Sequence, residues 1–448
     1  MFQFKKESHS LLKSEMNVSN YIFHYQITLK KMTNKQSSQG ENTLIIPLLI
    51  VGVLFFVIGF GVGISGFLTP FLRDALNLSV TESYLVTAAI FSAFVVFGAP
   101  AGWVIKKVGY KMSMLIAFFI MALGMILFVP SANMASFPIF LLALFIGGIG
   151  NTLLQAAVNP YVTIIGPHES AAMRMCLMGI MNKLAWWMGP LFLGLFLDLK
   201  NVQLSQVSFP FYIVTGILVA LGIFMYFVPL PEVKAAGEDE NDASSASVYA
   251  AGRKSVFQMP HLLLGVFALF LYVGVETIPM VSIIGFAKAV FGEGMTNPAG
   301  YAKYVPIGMF VGYVFGVIMI PKLLSQTTAL KLFAVIGIIS SFCVIFLPGE
   351  MGIYSLVAIG FANSIMWGAI WPLAIADLGK FTKTGASLLV MGIVGGAILP
   401  LIFGFLVDLF KTGEISSVSD YQNAYWIFIP AYLFILYFGT WGYQIRRK

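Results

Sequence analysis

The side chains able to do chemistry lie where the surrounding sequence is too apolar to face water. In Gly147–Pro190, GGIGNTLLQAAVNPYVTIIGPHESAAMRMCLMGIMNKLAWWMGP, two apolar segments are joined by the polar turn GPHES, with Arg174 just after it. On the first, Asn151, Gln155 and Asn159 recur every fourth residue, which puts them on one helical face with a drift of about 80°. The second carries Asn182 and Lys183 roughly 15 Å along its axis, then Trp186 and Trp187 one turn later. Further on, Glu276 follows Tyr272 by one turn, roughly 22 Å from the start of its own apolar segment. A Lys at the centre of a bilayer costs roughly 2.5–3.5 kcal/mol, so such groups face protein or water, not acyl chains. A single one is commonly a hydrogen bond between helices. Four amides, a lysine and two tryptophans in one hairpin read instead as the wall of a polar cavity.

The two embedded charges suggest ion chemistry. Desolvation raises a carboxyl's pKa, so a carboxyl inside a membrane can exchange a proton near neutral pH, or hold another cation. Glu276 is therefore a candidate ion-coupling residue. Lys183 is a candidate counter-charge for it, or a donor to substrate hydroxyls. The difference in depth, about 7 Å, permits direct pairing without requiring it.

The elements that carry these residues are transmembrane helices. The chain is 59% hydrophobic and 10% charged, against roughly 45–50% and 25% for soluble domains, with 41 Phe and 22 Met. Its mean hydropathy is +0.89. This is the composition of an all-α, polytopic membrane protein. Candidate spans are 43–69, 81–104, 111–129, 137–165, 173–197 and 209–228, then 261–291, 301–320, 329–347, 351–376, 385–407 and 421–443. The expected organisation is a disordered cytoplasmic tail (1–43), a six-helix half (44–228), a cytoplasmic linker (229–257) containing GEDENDASSAS, and a second six-helix half (258–448). The run from Met32, MTNKQSSQGENTLIIP, resembles an ordinary short tail, so Met32 is the expected true start. Of the 26 Lys and Arg, only Arg73, Lys200, Lys288, Lys303 and Lys411 fall opposite the termini, which places both termini in the cytoplasm. The net charge of +7 is thus a topology signal, and no nucleic-acid partner is implied.

The halves align with each other. Met178-Gly-Ile followed by Pro190, Gly194, Asp198 and Leu199 matches Met391-Gly-Ile followed by Pro400, Gly404, Asp408 and Leu409, and Pro160 matches Pro372 at an offset of 212 residues. A parallel repeat of two six-helix halves is the layout of the major facilitator fold, with a site near the midplane between them. At that offset Asn151, Gln155 and Asn159 map onto Asn363, Trp367 and Trp371. Amides donate to and accept from hydroxyls, and indoles offer flat apolar faces to the C–H side of a pyranose ring. The pattern reads as a sugar site with substrate contacts at Asn151, Gln155, Asn159, Asn182, Lys183, Trp186, Tyr272, Asn363, Trp367 and Trp371. Trp426 and Trp441, near span ends, read as interfacial belt residues, and Arg174, Asp377, Lys380 and Lys383 as gate or topology residues.

Other classes lack their signatures. Cys176 and Cys343 lie in apolar segments and propose neither disulfide nor metal site, and His9, His24, His168 and His261 form no ligand cluster. HExxH, GxSxG and GxxxxGK[ST] are all absent, so neither a membrane-embedded hydrolase nor a primary pump is expected, and no cofactor. A non-transporting sugar sensor, or an exporter of another small polar solute, stays open as the alternative to uptake.

The segments LLQAAVNPYVTIIGPHESAAMRMCLMGIMNK, YVGVE (Tyr272–Glu276) and LGKFTKTGASLLVMGIVGGAILPLIFG (Leu378–Gly404) resemble the fucose/glucose/galactose–cation symporter family of the major facilitator superfamily, over roughly residues 44–443. The resemblance implies a monomeric twelve-helix carrier in the plasma (bacterial inner) membrane that couples hexose entry to H⁺ or Na⁺. Fucose-type members carry acidic residues where Gly66 and Gln155 stand here, so that branch's proton relay is missing. Gln155 and the ESAA…MGI.NK pattern resemble the glucose/galactose and N-acetylglucosamine members. The loop GWVIKKVGYK (Gly102–Lys111) matches the superfamily's loop between its second and third helices, with Lys106 in place of the usual Asp.

Overall fold

The computed structural model describes residues 45–447 apart from 65–67, 70, 79, 198–202, 236–248, 251, 293–297, 412 and 414–415. The expected tail with its start at Met32, Gly66, Asp198 to Lys200 and the GEDENDASSAS run lie outside the described residues. Up to Ile50 the described chain is the opening of the first helix; the packing below is that of Val51–Lys448.

Among the described residues, ten helices are long and apolar enough to cross a membrane. One of them, Leu85–Asn133, contains two spans, because the helix Val80–Ile126 bends at Gly109, whose φ of 82° lies in the region glycine favours. Ala171–Gly194 is the twelfth span, its apolar content diluted by Arg174, Asn182 and Lys183. In chain order the spans are α1 (Ile45–Ile64), α2 (80–108), α3 (110–126), α4 (Phe137–Ile164), α5 (Ala171–Gly194), α6 (Ser208–Phe227), α7 (Pro260–Phe291), α8 (Tyr304–Met319), α9 (Gln326–Phe346), α10 (Gly349–Ile375), α11 (Gly379–Phe410) and α12 (Val418–Ile445). Pro260 opens α7, where a missing N–H costs nothing. Ser325 caps α9 by accepting from the Thr328 N–H, and Ser417 with Asp420 forms a capping box on α12.

Glycine notches set the closest approaches. A Cβ on Gly59 would meet the backbone of Asn182, and one on Gly63 that of Trp186. These two glycines, one turn apart, let α1 lie directly on the α5 turn that presents Asn182, Lys183 and Trp186, the small-xxx-small contact common between membrane helices. Arg174, which the charge pattern marks as a gate or topology residue, is 2% exposed and fully engaged. Its guanidinium donates to the carbonyls of Val162 (3.0 Å), Thr163 (3.0 Å) and Pro167 (2.9 Å) and to Ser170 Oγ (2.6 Å), stapling the last turn of α4 to α5.

At the bend after α2, the Glu232 carboxylate accepts from the backbone N–H of Tyr110 at 2.7 Å and of Lys111 at 3.4 Å. It therefore caps the start of α3 from the far end of the amino half, and Tyr161 Oη donates to Pro231 O beside it. Lys106 leaves this loop without its usual Asp, and the chain after α6 brings a carboxylate to the same bend.

Contacts joining the two halves gather on the side where Glu232 meets the bend at Gly109. Gly98 and Gly102 of α2 meet Met391 and Ser387 of α11, Gly368 of α10 meets Met175 and Ala172 of α5, and Gly316 of α8 meets Cys176. His168 and Gln326 are hydrogen-bonded across the halves at 3.2 Å, and the Lys383 ammonium lies 5.4 Å from the Tyr110 ring centre. We call this the closed side.

Candidate functional site

Between the halves lies a cavity of about 270 Å³ whose walls come from α1, α2, α4 and α5 on one side and α7, α8, α10 and α11 on the other. Seven of the eleven residues singled out in the sequence line it: Gln155, Asn182, Lys183, Trp186, Tyr272, Glu276 and Trp367. Lys183 Nζ stands 2.9 Å from Glu276 Oε1, with both side chains less than one-sixth exposed (15% and 12%). From their helix starts Lys183 and Glu276 differ in depth by about 6 Å, and the four-carbon lysine stem spans the difference. The pair joins the halves across the cavity. Among the described lining residues Glu276 is the one acid and Lys183 the one base.

The amides are held with one end committed. Asn182 donates Nδ2 to Phe55 O at 3.3 Å, and Gln155 donates Nε2 to Asn151 Oδ1 at 3.1 Å, so each amide keeps its carbonyl oxygen and a second N–H for a ligand. The Trp367 ring lies 6.3 Å from that of Tyr272 and 5.4 Å from that of Trp371. Ile58, Phe91, Phe94 and Val273 complete an apolar surround.

The other four residues do not line this cavity. Asn151 backs Gln155 and borders a separate small void with Gly61 and Met121. Asn159 is fully buried and donates Nδ2 to Gln155 O at 2.9 Å. Asn363 has its amide filled at both ends, donating to Val275 O (3.0 Å) and accepting from Tyr432 Oη (2.9 Å). It sits where α10 breaks at Ile365, so the fourfold spacing onto Trp367 does not continue one helical face. Trp371 lies behind Trp367, 0% exposed. Trp187 is 58% exposed, turned away from Trp186.

Tyr313 of α8 is one lining residue that residue patterning passed over. It lies beside Tyr272 and the Glu276 carboxylate in the wall of the cavity. Its ring fills the space that a Cβ on Gly179 would take, one turn before Lys183 on the same face of α5. The available signal was a lone tyrosine in the middle of an apolar span, since a buried Tyr hydroxyl usually finds a partner.

Two six-helix halves around a cavity between them with an embedded ion pair define a membrane carrier of the alternating-access kind. The Major Facilitator Superfamily model matches residues 51–391. The glucose/galactose transporter of Brucella abortus is 32% identical over 419 residues, covering 92% of this chain and 96% of that one. The L-fucose-proton symporter of Escherichia coli is 28% identical, covering 84% and 90%. Among solved structures, the crystal structure of the transporter FucP in the outward conformation superposes with a TM-score of 0.76 at 25% identity, over 89% of this chain and 99% of that one. The chain belongs to the Major Facilitator Superfamily, in the family of these glucose/galactose and fucose carriers.

Proposed function

We propose that this protein is a hexose–proton symporter of the cytoplasmic membrane, with both termini and the closed side facing the cytoplasm. The single observation that carries the reading is the Lys183–Glu276 pair, which closes one charge from each half across a cavity walled by amides and indoles. A cavity of this size suits one small ligand. Gln155 and Asn182 offer acceptors to sugar hydroxyls, and Trp367 and Tyr272 offer faces to a pyranose ring. The names of the Brucella and Escherichia relatives support a hexose and a proton respectively. So does electrostatics: a sodium ion on Glu276 would sit beside the Lys183 ammonium, whereas a proton on Glu276 removes the attraction and frees the halves to part. With a neutral Gln at 155, the coupling role falls to Glu276. The carrier works as a monomer, needs no cofactor and catalyses no chemical conversion.

The test is uptake of radiolabelled D-glucose, D-galactose and L-fucose into vesicles with an imposed ion gradient. Accumulation driven by an inward proton gradient and abolished by a protonophore is expected. A sodium-driven response would replace the proton in this scheme. Binding without uptake would make the protein a sensor, and extrusion would make it an exporter.

A further inference from the structure

Asn159 and Trp371 hold equivalent positions in the two halves, at the 212-residue offset that relates α4 to α10. Their helices pack directly on each other, and both side chains are 0% exposed. Each carries a polar atom with no hydrogen-bond partner among the described residues: the Asn159 Oδ1 acceptor and the Trp371 Nε1 donor. Each also lies one helical turn, about 6 Å, beyond a cavity residue, Gln155 on α4 and Trp367 on α10, in the direction of the closed side. The Trp371 ring stacks on Trp367, so the aromatic surface of the cavity continues past its floor.

An unpaired polar group buried in apolar surroundings is unfavourable, and membrane protein interiors have no bulk water to relieve it. Here two such groups, one donor and one acceptor, occur at symmetry-equivalent sites next to a binding cavity. A sugar hydroxyl is both donor and acceptor and satisfies both at once. We propose that Asn159 and Trp371 form a second sugar subsite, one turn beyond the cavity, that is filled only when the closed side opens. A neutral monosaccharide leaving the cavity places a hydroxyl between Asn159 Oδ1 and Trp371 Nε1 while its ring slides from Trp367 to Trp371. The unmet hydrogen bonds weigh against the closed state, and opening relieves them. This subsite rests on the transporter reading above and extends it to the release step.

The test measures half-saturating sugar at each face separately, by exchange of radiolabelled D-glucose, D-galactose or L-fucose in right-side-out and inside-out vesicles. Trp371→Phe removes the N–H and keeps the stacking ring; Asn159→Ala removes the acceptor independently. In each variant the half-saturating concentration should rise roughly three- to tenfold at the face carrying the linker and stay constant at the other face. Gln155→Ala, in the shared cavity, should raise it at both. Size-exclusion profiles establish which variants are inserted and folded, and either one alone suffices for the test. An equal change at both faces, or none at the linker face, overturns the subsite. Absence of exchange by the unmodified protein overturns the transporter reading, and the subsite with it.

Discussion

An ammonium and a carboxylate 2.9 Å apart inside a membrane protein offset much of each other's field. Removing one partner of such a pair costs about 3–5 kcal/mol, mostly through the charge left behind. Glu276→Gln should therefore abolish gradient-driven accumulation while leaving sugar exchange down its own gradient largely intact, since a neutral amide still fills the space but exchanges no proton. Full accumulation by this variant would reduce Glu276 to a structural residue. Lys183→Ala should shift the pH dependence of accumulation, not merely its rate. The groups facing Glu276 besides Lys183 are Tyr272 and Tyr313, with Tyr432 of α12 close enough to sense its charge. Tyr313→Phe, which removes one hydroxyl and keeps the ring against Gly179, should alter that pH profile while sugar exchange persists. An unchanged profile would place Tyr313 outside the coupling network.

The helices position these groups through contacts that tolerate no added atom. Gly59 and Gly63 bring α1 onto the backbone of Asn182 and Trp186, so Gly63→Ala must either push α1 away or strain both helices. Overpacking of this kind costs about 1–3 kcal/mol. The expected result is a lower unfolding temperature in detergent together with weakened sugar binding, because Asn182 and Trp186 move with α5. Gly216 has open space where its Cβ would go, and Gly216→Ala should leave both properties unchanged. Glu232 makes a different element-level link, since it joins the start of α3 to the end of the amino half through two backbone N–H groups. Glu232→Ala should cost about 1 kcal/mol, as loss of other helix caps does.

For the molecule as a whole, the contacts between halves on the side of the Gly109 bend mark that side as closed. Alternating access requires those contacts to break in every cycle. A thiol crosslink between His168→Cys and Gln326→Cys, made in a chain with Cys176 and Cys343 replaced, should stop transport while preserving sugar binding from the opposite face. Continued transport by the crosslinked protein would show that this side does not open as a gate.

Much of this was legible in the linear chain, because bilayer thickness and the cost of bare charge constrain sequence directly. Span length and apolar content located the helices, the 212-residue repeat located the two halves, and polar residues in forbidden positions located the cavity. Helical spacing alone then over-assigned its walls. Asn151, Asn159, Asn363 and Trp371 share faces or symmetry positions with true lining residues, but they are spent on or hidden behind neighbours that only packing brings together, such as Val275 and Tyr432 around Asn363. Tyr313, the Glu232 cap and the Gly59–Gly63 notch likewise depend on partners far away in the chain. The Lys183–Glu276 pair lies between the two cases: sequence supplied both charges and their approximate depths, and the tertiary structure decided that they meet. The physical reason is that solvation cost is a property of one segment, whereas a contact is a property of two segments and of the distance the fold leaves between them.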